Sequence, residues 1–176
     1  MQIRLADETD IEAIANLHAA SWRSAYRGAL SDEYLAGDIV SDRMRVWTQR
    51  LSTHNQDQNV LVAEQGRQVV GFACAFAFAD SKWGSLLDNV HVSQECHRSG
   101  VGTALIQHIM HWHLEKSPAA SLFLWVLQSN RNAQQFYEKL GAKNVGEDVW
   151  VPPDGGSVPR FRYAWSDVST AFNSLT

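Results

Sequence analysis

Residues 121–127 read SLFLWVL, a continuous apolar run with no alternation of polar and apolar positions. A strand of this kind is buried on both faces, so other layers must cover it above and below. Directly after it comes QSNRNAQQFYEKLGA, in which residues 130–140 read as a helix stopped at Gly141, a left-handed cap position. A core strand that feeds a helix points to a layered α/β architecture.

The rest of the chain extends this pattern. Residues 3–5 form a short strand candidate, and Thr9-x-x-Glu12 has capping-box spacing. Ile11, Ile14, Ala15, His18 and Trp22 then recur at helical spacing, as do Val40, Met44, Trp47 and Leu51. SDEYL, between these stripes, suits one more helical turn. From residue 59 the period changes to that of strands, with a tight turn at Gly66, and SLLDNVHV is a third strand. A helix follows Gly100, and the tail holds the turn PPDGGSVP before the alternating strand RFRYAW. The expected order is strand, two helices, three strands, helix, strand, helix, two strands.

At 176 residues one domain is expected, with roughly 70% of its surface buried. Fifteen basic against nineteen acidic residues give a net charge of −4, which argues against a nucleic-acid partner. The longest apolar run, residues 69–79, contains Gly71 and falls far short of the ~20 residues of a membrane span. MQIRLADETD lacks the basic-then-apolar order of a secretion signal. Cys74 and Cys96 do not make a disulfide framework, so a reduced, cytoplasmic protein is expected. Seven Trp and seven Phe are many for this length, and exposed ones would favour a homodimer.

Two constellations carry chemistry. The first is HRSGVGTAL, residues 97–105, where glycines open a helix. A helix start offers unpaired amides and partial positive charge, which suit a phosphate. Gly100 and Gly102 let backbone approach an anion, while Arg98, Ser99 and Thr103 add charge and hydroxyls. The Rossmann fingerprint fails, because Leu105 stands where a third glycine is needed, and no P-loop is present. A tight strand-to-helix turn is the simpler alternative. The second constellation is NRNAQQFY. Asn130 suits an N-cap, and Tyr137 lies about two turns along the same face. A phenol holds its proton at neutral pH and can give it to a departing thiolate.

Together these residues resemble the GNAT superfamily of acetyl-CoA-dependent N-acetyltransferases. That family shows Q/R-x-x-G-x-G/A after its fourth strand and N-x-x-A-x-x-F-Y after its fifth; here they read HRSGVG and NRNAQQFY. The resemblance covers essentially the whole chain as one domain, residues 1–176. It implies a mixed, mostly antiparallel central sheet flanked by helices and splayed between strands 4 and 5. It further implies that acetyl-CoA is the co-substrate, with no metal. Amides of residues 98–103, Val101 among them, would cradle its pyrophosphate with Ser99 and Thr103 assisting, and His97 opens the same cofactor-binding loop. Val90, His91 and Val92 would line the pantetheine arm, Asn130 would hold it, and Tyr137 would face the sulfur as general acid. The amine would attack the thioester directly, so neither cysteine need react.

The base is less defined. Relatives carry a carboxylate where Leu86 or Trp125 stands here, so Asp88, on the strand parity of Leu86 and Val90, becomes the candidate, with a water chain as the alternative. His91 then falls on the opposite face, assuming no bulge. His18, Trp22 and Tyr26 are the candidate acceptor-pocket residues, and an aromatic wall in an acidic protein suits a cationic amine. His108, His111 and His113 lack a further ligand for zinc. The expected reaction is acetyl transfer to a primary amine of a small molecule or peptide. The competing reading is a non-catalytic acyl-CoA-binding, sensing or interaction domain.

Overall fold

The computed structural model describes residues 1–175. Its described residues form seven strands and six helices: β1 (Gln2–Leu5), α1 (Ile11–Ala25), α2 (Asp32–Ala36), α3 (Ile39–Ser52), β2 (Gln58–Gln65), β3 (Gln68–Asp80), β4 (Gly84–Val92), α4 (Val101–Lys116), β5 (Leu122–Leu127), α5 (Arg131–Lys139), β6 (Lys143–Trp150), β7 (Val158–Trp165) and α6 (Val168–Leu175). The strands make one sheet in the order β1-β2-β3-β4-β5-β7-β6. Every pairing is antiparallel except β4 with β5.

Strand alternation divides the core between the two faces. Val60, Val62, Phe72 and Cys74 pack beneath α1 and α3, against Ile14 and Trp47. Leu61, Ala63, Leu122, Leu124 and Val126 point the other way, towards Leu105, Ile106 and Ile109 of α4. As its sequence requires, β5 is buried on both sides, and only Trp125 is partly open.

The parallel pair is brief. Ser85 lies opposite Leu122, Leu86 opposite Phe123 and Leu87 opposite Leu124; beyond this point the strands part, although β4 runs to Val92 and β5 to Leu127. The separation starts at a bulge. On β3, Cys74 faces Asn89 and Ala75 faces Leu87, which leaves Asp88 as the extra residue. Mixed sheet and splay both match the expectation.

Two local features differ from the sequence reading and one agrees with it. The cap before α1 is Asp7 rather than Thr9: Asp7 Oδ1 accepts from the Thr9 amide at 2.8 Å, while the Asp7 amide donates to Asp10 Oδ2 at 3.0 Å. Asp10 is free for this because Arg4 grips both of its oxygens, at 2.7 and 2.8 Å, and holds it buried. SDEYL does form the short helix α2. The tail adds α6, which follows Asp167, whose carboxylate accepts from the Thr170 amide at 2.9 Å; Ala171 and Leu175 then pack onto the core.

Candidate active site

The glycine loop has a curled backbone. After β4, Gln94–Cys96 form a single 3-10 turn, then Arg98 adopts φ 64° and Gly100 φ 88°, and α4 begins at Val101. Left-handed residues alternating with ordinary ones turn successive amides into one concavity. Ala104 is the first residue of α4 whose amide reaches a carbonyl, that of Gly100 at 3.0 Å. The amides of Val101, Gly102 and Thr103 before it have no acceptor among the described residues.

The two glycines serve different ends. A Cβ on Gly100 would meet nothing within 4 Å, so its backbone angle demands glycine and the space before it is open. A Cβ on Gly102 would come 3.2 Å from Phe136 Cζ, so this glycine lets α4 and α5 approach. The side chains here are partly committed. His97 Nε2 donates to the Val92 carbonyl at 3.1 Å, Ser99 Oγ donates to the Cys96 carbonyl at 2.7 Å, and Val101 is buried in the core.

On α5, Asn130 caps the helix, its Oδ1 accepting from the Ala133 amide at 3.1 Å. Gln134, which the sequence reading passed over, is buried and donates to the carbonyls of Leu127 and Gln128, both at 3.0 Å. It ties the end of β5 to α5 and so fixes the direction of Tyr137 one turn on. The Tyr137 ring sits edge-on to Trp165 and beside Phe136. Burial, and then the nearby Tyr26, raise its phenol well above the usual value, so it holds its proton at neutral pH.

Across the sheet from α4, a cavity of about 370 Å³ opens over the gap between β4 and β5, with Leu87 and Val126 on its two sides. His18, Trp22 and Tyr26 all line it, together with Asp88. Trp22 stacks on Tyr26 with centroids 5.1 Å apart, and Trp150 meets both edge-on. The bulge changes the expected parity. Val90 and Val92 pack towards α4, whereas Asp88 and Asn89 both meet Arg50 of α3, at 2.8 Å from Asp88 Oδ2 and 3.0 Å from Asn89 Oδ1. His91 therefore does not lie opposite Asp88. Its ring centroid is 4.6 Å from His18 and 5.1 Å from Phe72, on the α1 and α3 side.

Charge in the cavity also departs from expectation. Arg43, Arg50 and Arg160 line it, with Asp88 the one carboxylate among its described lining residues. Sequence reasoning missed these arginines, although Arg43, Trp47 and Arg50 share helical spacing on the buried stripe of α3. Burial is the main cause that holds His18 well below its usual value, with His91, Arg43 and Arg50 adding to it. Burial and Arg43 bring His91 down to about 4. Tyr26 is pushed up to about 12 by burial, with Asp88 adding and Arg43 opposing.

Residues 11–142 match the acetyltransferase (GNAT) family. The chain belongs to that family. A probable N-acetyltransferase of Mycobacterium tuberculosis is 29% identical over 170 residues, covering 93% of this chain and 92% of its own. The ribosomal protein bS18-alanine N-acetyltransferase of Escherichia coli is 32% identical over 97 residues, 54% of this chain and 63% of that one. In fold, the chain resembles the PaiA N-acetyltransferase of Thermoplasma acidophilum, solved with coenzyme A. The TM-score is 0.72 at 21% identity, over 93% of this chain and 98% of that one. Membership makes this protein an acetyl-CoA-dependent N-acetyltransferase, an enzyme class that acts on amines.

The three histidines of α4 in this acetyltransferase are engaged elsewhere. His113 is buried between Ser85 Oγ at 2.8 Å and the Ala120 carbonyl at 2.9 Å. His108 contacts the Ala104 carbonyl and His111 pairs with Glu115. Among the described residues no group of three or more His, Cys, Asp or Glu is arranged to hold a metal, and no helix is long and apolar enough to cross a membrane. A more open groove of about 570 Å³ lies at the far end of α4, beside Phe78, Lys82 and Pro118, away from the cradle and the gap.

Proposed function

We propose that this acetyltransferase moves the acetyl group of acetyl-CoA to a primary amine of a small molecule or peptide by direct attack. Tyr137 acts as general acid and Asp88 as proton acceptor. The observation that carries the reading is the position of Tyr137: its helix α5 meets Gly102 of the cradle through Phe136, and its own ring lies edge-on to Trp165, where burial keeps the phenol protonated.

The cradle fits the pyrophosphate of acetyl-CoA. Orphan amides at the start of α4 meet an anion without a basic surface, and the open space at Gly100 admits it. Residues 97–103 hold the phosphates, with Ser99 turning its hydroxyl outward on binding and Arg98 adding charge. Val90, His91 and Val92 on β4 flank the pantetheine arm, where β5 has moved away. The Asn130 amide nitrogen, left over after capping, holds the arm from the other side.

At the gap the acceptor nitrogen comes in from the cavity, between Tyr26 and Asp88. Asp88 takes the proton from the nitrogen once it has bonded to the acetyl carbon and become strongly acidic. Arg50 fixes the carboxylate through one oxygen and leaves the other for the proton. Tyr137 gives its proton to the departing thiolate, a step for which a phenol is well matched. Cys74 is not the nucleophile in this reading, because burial pushes its thiol up to about 12.

Thiol release from acetyl-CoA, measured with amines, amino acids and peptides, tests the reading. It expects acceptor-dependent release and no change in protein mass when acetyl-CoA is added alone. A stable acetyl adduct that passes to the amine would overturn direct attack.

A further inference from the structure

The acceptor cavity is built for more than an amine. Arg43 stacks over Trp22 at 4.3 Å and is anchored through Nη2 to Asp42 at 2.5 Å; Arg160 stacks over Trp125 at 4.0 Å and is anchored through Nη2 to Asp148 at 2.7 Å. Neither aspartate lines the cavity. Each guanidinium thus lies over an aromatic ring and is tethered at one nitrogen. Its Nη1 makes no hydrogen bond among the described residues, and its Nε is buried without an acceptor.

His18 adds a third donor. It is 1% exposed, its Nδ1 accepts from Trp47, and its Nε2 is buried without a partner. Since Nδ1 accepts, a neutral ring carries its proton on Nε2. The cavity's one carboxylate, Asp88, is already paired with Arg50. Each guanidinium pairs with its aspartate through Nη2 and leaves Nη1 to donate, and an anion in the cavity would satisfy it. A planar carboxylate matches the fork of a guanidinium better than any neutral group.

The geometry points to an acceptor that carries a carboxylate beside its amine, held by Arg43 and Arg160 while the nitrogen faces Asp88. The acceptor class is therefore an amino acid or a short peptide with a free acid group, and not a polyamine. At about 370 Å³ the cavity is near the lower end of the ~300–1,000 Å³ typical of small-molecule sites, which suits such a ligand. This inference rests on the amine-acceptor reading above.

The test compares kcat/KM for matched pairs, each an amino acid or dipeptide and its carboxamide, with putrescine as the polyamine probe. The amine of an α-carboxamide loses its proton more readily, so intrinsic reactivity favours the amide. The acid is nevertheless expected to lead by roughly 10- to 100-fold in the preferred pair. In Arg160→Gln, whose side chain is partly exposed, the acid-to-amide ratio should fall by about tenfold, with partial recovery in Arg160→Lys. Amides or putrescine turned over as well as the acids, or a ratio untouched by Arg160→Gln, would overturn the carboxylate inference and leave the amine reading standing. No acetylation of any acid, amide or diamine would overturn both.

Discussion

The indole N–H of Trp47 donates to Nδ1 of His18 across 3.1 Å, linking α3 to α1 in the core. An indole can only donate, so this bond fixes His18 as the Nε2–H tautomer when neutral. Burial and the neighbouring arginines keep the ring neutral. His18 therefore presents a donor to the cavity over the β4–β5 gap and is no base. Trp47→Phe should leave Nδ1 buried and unsatisfied and cost about 2–3 kcal/mol in urea denaturation. Nitrogen chemical shifts of His18 should report Nε2–H in the parent protein.

Acid sensitivity follows from three histidines that burial holds below their usual value. His91 has its usual 6.5 lowered to about 4 in the folded protein, and His18 and His113 move in the same direction. Between these two values the unfolded chain binds more protons at His91 than the folded one does. Stability therefore falls as pH drops from about 6.5 towards 4. His91→Gln should flatten that part of the stability profile, and an unchanged slope would dissociate His91 from it.

Asp88→Asn separates a proton acceptor from a mere partner of Arg50. Arg50 keeps its bond to Asn89 at 3.0 Å, so the fold should persist. A kcat loss of about 10²-fold is expected if Asp88 takes the proton. A loss confined to KM would instead assign Asp88 a positioning role.

Gly100→Ala tests the cradle. Its φ of 88° is strained for alanine, at a cost of about 1–2 kcal/mol, although a Cβ there meets no atom of the chain within 4 Å. Acetyl-CoA affinity, by calorimetry, should fall by about tenfold as the loop relaxes and its amides turn. Unchanged affinity would remove the loop from the phosphate site.

Much of this was legible because periodicity and turn chemistry are local. SLFLWVL declared a strand buried on both faces, and Gly141 ended α5 with φ 87° as expected. Asp7 was missed as a cap because Asp10 completes the box only after Arg4 neutralises it. The bulge at Asp88 has no signature in SLLDNVHV, since register depends on β3, and it reversed the expected face of His91. The arginines were invisible as a group for a similar reason. Arg43 and Arg50 come from α3 and Arg160 from β7, and only the fold brings them to one cavity. Net charge of the whole chain said nothing about that local sign.

Tyr137→Phe asks whether Tyr137 delivers the proton to the departing thiolate. The ring is retained, so packing against Phe136 and Trp165 should survive. Thiol release at saturating acetyl-CoA and acceptor should fall by about 10²-fold or more, while acetyl-CoA affinity stays within about twofold. Turnover at the parent rate with equal affinity would contradict the assignment.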